Sequence, residues 1–207
     1  EFINRQDRDG RIIYIRGLLF LMCKAFAEVY PEALLTVNYQ LSNAMFGEVD
    51  NMEVTDEMIA KVKAKMQEMI DKDLPITKVM MSQEEAEEFY KKEATIKGRL
   101  QTNIDKEKVS LYYCEDYYNY FFGTMPISTG FAKIYDLVKY RDGFLVKYPS
   151  LAEPDILQPN ADTSLKLVSA MDEYDEINKL KKINTVYRLN KKIREEKGKK
   201  ELILFSE

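Results

Sequence analysis

Leu111-Tyr112-Tyr113-Cys114-Glu115-Asp116-Tyr117-Tyr118-Asn119-Tyr120-Phe121-Phe122-Gly123-Thr124-Met125 is the densest aromatic stretch of this 207-residue chain. β-branched and aromatic residues favour a pleated backbone, so Val109 to Cys114 reads as a strand and Tyr117 to Phe122 as a second extended run. Two physical readings of the rings compete. Seven rings so close together could form a stacking platform for nucleic-acid bases. Strand alternation instead puts half of them in a core and half at the surface. The second reading is favoured. No basic residue is interleaved among the rings, and the acids Glu115 and Asp116 stand where phosphates would have to approach.

Outward from this stretch the pattern mixes helices and strands. Ile12, Ile13, Leu18, Leu19, Met22, Phe26 and Val29 recur at helical steps from Arg11 until Pro31 ends the run. Ala33 to Tyr39 and Asn43 to Val49 read as strands. Thr55, followed by Asp56 and Glu57, marks the start of an amphipathic helix carrying Ile59, Val62, Met66, Met69 and Ile70. Pro75 to Met81 reads as a strand. Ser82 with Glu85 forms a capping box for a helix from Gln83 to about Lys92. Phe131 to Tyr140 and Phe144 to Tyr148 flank Arg141-Asp142-Gly143 as a hairpin. Pro149, Pro154 and Pro159 then punctuate a linker. Ser164 to Lys182 and Thr185 to Lys197 read as two helices, with Gly198 as a C-cap. The expected organisation is an N-terminal linker (1–10), an α+β domain (11–148), a proline-containing linker (149–163) and a basic helical segment (164–207).

Composition narrows the chemistry. The chain is 45% hydrophobic and 32% charged with a net charge of −4, the balance of a globular domain with a core of its own. It contains no histidine. A histidine general base, a Ser-His-Asp triad and any histidine-bearing zinc site are therefore excluded within these residues. Two cysteines, Cys23 and Cys114, cannot make a four-cysteine site and suit a reduced, cytoplasmic setting. Neither GxxxxGK[ST] nor GxGxxG occurs. No apolar run is long enough to span a membrane. Residues 181–200 carry nine Lys or Arg and two Glu. That tail could meet phosphates, though a solvated helical hairpin is the plainer reading. The chain opens on Glu1-Phe2 without an initiator Met, which suggests a piece of a longer protein.

The run from Leu111 to Met125, continued to Thr129-Gly130, resembles the end of the second additional domain of threonyl- and alanyl-tRNA synthetases. That family shows an aromatic strand, Glu-x-Tyr, Cys-x-Gly-Pro-His and then Thr-Gly; Glu115, Tyr117, Gly123, Thr129 and Gly130 match. The first helix ends Tyr30-Pro31, as the family's ends in aromatic-Pro, and the resemblance spans about Arg11 to Tyr148. It implies an antiparallel sheet with packed helices, followed here by a helical hairpin. In the family, two helix histidines, a cysteine and a later histidine form a metal or editing pocket that hydrolyses mischarged tRNA. Those positions fall here on Arg16, Phe20, Phe121 and Met125, and all four are replaced. A guanidinium repels a cation, two phenyl rings offer no lone pair, and a thioether alone is a soft, poor ligand. The acid before the family cysteine is Asn119. A family lysine is kept as Lys97.

The resemblance implies a retained fold without the reaction. Asp9 to Phe20, Phe121 to Gly130 and Lys200 to Glu207 also resemble the synthetase-like N-terminal region of bacterial uridine kinase-like proteins, which leads into a P-loop kinase domain. On that reading the partner is the protein's own C-terminal kinase domain. ATP and Mg belong to that domain alone, and these residues hold no cofactor and no metal. The leading expectation is a non-catalytic domain whose cleft binds a small ligand, nucleotide or RNA end, or regulates the kinase. Arg16 and Lys97 would meet a phosphate or carboxylate, and Tyr117 and Tyr120 would wall the cleft. Arg16 could equally form a salt bridge to Glu115 or Asp116. The alternatives are a structural docking module, its pocket filled by Phe20, Phe121 and Phe122, and a residual metal-independent hydrolase using Lys97 with an acid.

Overall fold

The computed structural model describes residues 6–82, 84–86, 88 and 108–158, and beyond them 173, 174, 176–178, 180, 181, 183, 189, 192–195 and 200. The chain divides into two compact units, one of residues 1–85 and 106–161, the other of 86–105 and 162–207. The first unit runs α1 (Arg8–Val29), β1 (Leu35–Leu41), β2 (Ala44–Val49), α2 (Asp56–Lys72), β3 (Thr77–Ser82), β4 (Lys108–Cys114), β5 (Tyr117–Asn119), a 3-10 turn (Thr129–Phe131), β6 (Asp136–Tyr140) and β7 (Gly143–Lys147). The architecture is α+β. One antiparallel sheet has the order β1-β2-β7-β6, and a second has the order β3-β4-β5.

Helix α1 explains why two sheets coexist. It is apolar on more than one side, the pattern of a helix buried within a fold. Leu18, Leu21, Met22, Ala25 and Phe26 join Val62, Met66, Met69 and Ile70 of α2, together with Leu137, Phe144 and Val146 of the four-stranded sheet. Phe20 faces elsewhere, into a second cluster with Ile76, Tyr112, Cys114 and Met125. Each such side chain removed from water contributes roughly 1.5–3 kcal/mol. The helix begins at Arg8, earlier than periodicity suggests. Asp7 takes the N-cap position and its carbonyl accepts from Arg11 N at 3.0 Å. A polar first turn leaves no apolar signal to read.

Helix α2 starts as its sequence dictates: Thr55 Oγ1 accepts from Met58 N at 3.1 Å. Asp73 ends it in the left-handed region, with φ 48°. The expected capping box is present, with Glu85 N donating to Ser82 Oγ at 3.1 Å and Ser82 N donating to Glu85 Oε2 at 2.8 Å. The β6–β7 hairpin turns through Arg141-Asp142, with Arg141 at φ 53°. Gly143 follows because a Cβ there would overlap the backbone carbonyl of Gly47 on β2. Two boundaries are shorter than the sequence suggests. The strand expected from Phe131 begins at Asp136, after the 3-10 turn, and the run expected to reach Phe122 stops pairing at Asn119. An aromatic preference extends a backbone but does not supply a partner strand for its hydrogen bonds.

Buried Thr129 ties the elements together. Its hydroxyl donates to Met69 O at 2.6 Å and accepts from Leu74 N at 2.8 Å, while Thr129 N donates to Leu74 O at 2.8 Å. Replacing it by valine keeps the volume but orphans a buried donor and acceptor. Thr129→Val is expected to lose about 2 kcal/mol in urea unfolding, with Thr129→Ser retaining most of it.

The first residues of the expected proline linker are tied to this unit. Arg11 Nη2 donates to Asn43 Oδ1 at 2.6 Å, Asn43 Nδ2 to Gln158 Oε1 at 3.4 Å, and Glu153 N to Ser150 Oγ at 3.0 Å. In the second unit, residues 173, 174, 176–178, 180, 189 and 192–194 are helical, inside the two helices read from sequence. The rest of those helices, Lys97, and the helix expected beyond residue 88 lie outside the described residues.

Candidate functional site

Phe20 organises the candidate site. It is fully buried, its ring edge-on to Tyr117 at 5.5 Å and to Phe121 at 6.0 Å between centroids. Met125 is buried in the same cluster, and Phe121 is half-buried against it. Three of the four positions at which the family resemblance expects metal ligands thus pack into one apolar cluster. The fourth, Arg16, lies one turn before Phe20 on α1, half-buried. Its guanidinium occupies the space that a Cβ on Gly123 would need, and Gly123 has φ +92°, so glycine is doubly required there. Tyr112 Oη donates to Gly123 O and closes the loop over the cluster. Burial pushes the Tyr112 phenol up, and the charge of Arg16 partly opposes that.

Phe122 does not fill this pocket. It is 75% exposed, and Met125 occupies the place expected of it. Tyr117 does line the cluster, and Asn119 Nδ2 donates to its hydroxyl at 2.7 Å. Tyr120 lies half-buried just after β5, with no hydrogen bond or ring contact among the described residues. Tyr113 and Tyr118 stack on each other at 4.5 Å. The aromatic stretch is therefore divided between core and surface, as strand alternation requires.

The salt bridge considered for Arg16 is not formed. Lys24, two turns further along α1, takes those carboxylates: its fully buried ammonium lies 2.5 Å from Glu28, 3.1 Å from Glu115 and 3.5 Å from Asp116. Eight residues of helix separate Arg16 from Lys24, about 12 Å of rise, which puts Arg16 out of reach of the β4–β5 turn. The three carboxylates each offer an oxygen within 4.8 Å of the others, an arrangement able to hold a cation, and Lys24 is the cation that holds them. Burial pushes the Lys24 pKa down, and hydrogen bonds to Glu28 and Glu115 more than offset it, so the pKa lies above the usual lysine value. Burial likewise pushes Glu28 up, and hydrogen bonds from Lys24 and Lys65 bring it below the ordinary carboxylate range. Sequence reading missed Lys24. A lysine flanked by apolar residues at helical spacing, with Glu28 one turn on, was the available signal.

Cys114 sits buried beside this cluster, and burial pushes its thiol to about 11, against a partly opposing effect of Lys24. A thiol so rarely ionised at neutral pH is a poor nucleophile. Cys114 is expected to resist iodoacetamide at pH 8 until the protein is unfolded, as peptide mapping after labelling would read. Modification in the native state at the rate of a free thiol would contradict the burial.

No protein-family model matches this chain. It is similar to threonine–tRNA ligases. Identity is 27% to that of Rubrobacter xylanophilus over 131 residues, 63% of this chain and 20% of the ligase. With the Methylobacillus flagellatus ligase it is 27% over 145 residues, 67% of this chain and 22% of the ligase. With the Symbiobacterium thermophilum ligase it is 29% over 141 residues, 67% of this chain and 22% of the ligase. The chain spans about a fifth of the length of these relatives. About two thirds of it is therefore threonyl-tRNA-synthetase-like, and the α+β architecture with antiparallel sheets and packed helices is compatible with that likeness. Among the described residues no helix is long and apolar enough to cross a membrane.

Proposed function

We propose that this chain is a non-catalytic accessory domain of the synthetase-editing type, in which packing has replaced the pocket's chemistry. One observation carries the reading. Phe20, Phe121 and Met125 meet in a single apolar cluster with Arg16 beside it, so the side chains at those positions contribute hydrophobic burial and one positive charge. With no histidine in the chain, the remaining donors at these positions suit neither a zinc-activated water nor a histidine base. Purified protein is expected to hydrolyse mischarged threonine-specific tRNA no faster than buffer, with or without added zinc. Turnover proportional to protein would overturn the proposal and restore the hydrolase reading.

The ligand this domain would serve is an anion. Arg16 forms no ion pair among the described residues, and its guanidinium fills the space beside Gly123, next to the cluster that Tyr117 lines. A phosphate or carboxylate on a small ligand, nucleotide or RNA end suits it, with Tyr117 and Tyr120 as candidate walls. Arg16→Ala is expected to weaken such binding about tenfold, in proportion to one charge-assisted hydrogen bond. Equal binding by both proteins would leave the other reading, a docking module with a filled pocket, which the complete burial of Phe20 favours.

The parent would be a uridine kinase-like protein in the cytoplasm, with its kinase domain, ATP and Mg lying beyond these residues. That part rests on the likeness of Asp9 to Phe20, Phe121 to Gly130 and Lys200 to Glu207 to such proteins. A P-loop glycine pattern encoded shortly after Glu207 is the expected finding, and its absence from the full gene product would remove the kinase.

A further inference from the structure

Next to Phe20's cluster, with Met125 and Phe131 common to both, the first unit carries a groove of about 680 Å³ between the start of α1 and residues 125–134. Ile13, Met125, Pro126, Ile127, Phe131 and Ile134 supply apolar walls. The size is that of a small-molecule site. The walls are fixed in advance. Gly17 lets Phe131 and Pro126 seat against α1, where a Cβ would come within 2.5 Å of both. Ile76 N donates to Ile127 O at 2.8 Å and Thr129 N to Leu74 O at 2.8 Å, the two bonds of the Pro75–Ser128 bridge, so the rim backbone is pinned from Ile127 onward. That pinned backbone nonetheless holds the Ile127 side chain 87% exposed. Apolar surface held rigidly in water gains free energy from any apolar body that covers it.

The polar side chains on the wall are engaged, with one exception. Tyr14 Oη donates to Ile134 O at 2.7 Å and accepts from Ile134 N at 3.2 Å. Gly130 N donates to Asp73 Oδ1 at 2.9 Å. The exception is Lys133, exposed, its ammonium without an ion pair or hydrogen bond among the described residues. Asp73 is close enough to feel the Lys133 charge, which disfavours a ligand carrying several negative charges.

We propose that this groove binds a small apolar monocarboxylate, its chain along Ile13, Met125, Ile127 and Phe131 and its carboxylate on Lys133. The inference goes beyond the accessory-domain reading; of the four positions that reading rests on, Met125 alone also lines the groove, so the shifts of Ile13, Ile127 and Ile134 tell the two apart. Octanoate and octylammonium, equal in length and opposite in charge, serve as probes of the whole chain, with the methyl resonances of Ile13, Met125, Ile127 and Ile134 as the readout. Octanoate is expected to shift them saturably and octylammonium to bind more weakly. Lys133→Gln, at an exposed position that leaves the melting temperature unchanged, is expected to weaken octanoate about three- to fivefold. Four results would overturn the proposal: no saturable shift, equal affinity for the two probes, octanoate binding unchanged in Lys133→Gln, or a dimer that octanoate dissociates, which would make a second copy the occupant.

Discussion

Phe20→Ala is expected to lower the unfolding free energy by about 4 kcal/mol, a fall in melting temperature of roughly 8–15 °C for a domain of this size. Phe20 is fully buried, and its ring is the element shared by Tyr117, Phe121 and the rest of the second cluster. Truncation removes a large apolar surface and leaves a cavity that a helix on one side and a strand on the other cannot close by small shifts. Phe20→Leu, which keeps most of the volume, is expected to cost less than half as much. Urea unfolding of the three proteins measures this. A loss under 1 kcal/mol for Phe20→Ala would mean that the cluster is loosely packed, with space for a ligand where the account has side chains.

Lys24→Ala is expected to cost about 2 kcal/mol, chiefly because it removes a buried aliphatic stem; the three carboxylates it leaves behind reach water, which screens much of their repulsion. Lys24→Met keeps the stem and loses the charge, so its deficit is smaller and purely electrostatic. That deficit depends on pH in a determined direction. Glu28 has its folded pKa below the ordinary value, so its contribution is present above the unfolded pKa, about 4.3, and disappears as pH falls through the folded value. Lys24 has its folded pKa raised, so its contribution is present below about 10.4 and disappears as pH rises through the folded value. The stability gap between wild type and Lys24→Met is therefore expected to be widest between these limits and to close at both ends. The absence of any gap from pH 3 to neutrality would show that Lys24 stabilises by packing alone.

Local rules were enough to read several elements. Thr55 with its acidic first turn, the Ser82–Glu85 box and the alternating rings of β4 each follow from chemistry confined to a few neighbours. What escaped depends on partners distant in sequence. Lys24 reads as the residue that interrupts an apolar run, and its role requires Glu115, which a β-turn brings back from 91 positions away. Phe122 and Met125 are both plausible fillers of one pocket by composition. Only the closure of the loop, through Gly123 at positive φ and the Tyr112 hydroxyl, turns Met125 inward and Phe122 out. The groove was unreadable for the same reason, because its walls come from two segments more than a hundred residues apart. The resemblance to synthetases was visible in Glu115, Tyr117, Gly123, Thr129 and Gly130, and one of these, Thr129, has a structural duty that explains it: its hydroxyl locks the end of α2 to the loop after β5.

The most direct test of the account is a titration of zinc into the intact protein at neutral pH, followed by the methyl resonance of Met125. If side chains have taken over the pocket, that resonance stays in place through an excess of metal. A saturable shift at one equivalent would mean that the hollow around Phe20 still grips a divalent ion, and would contradict the account at its root.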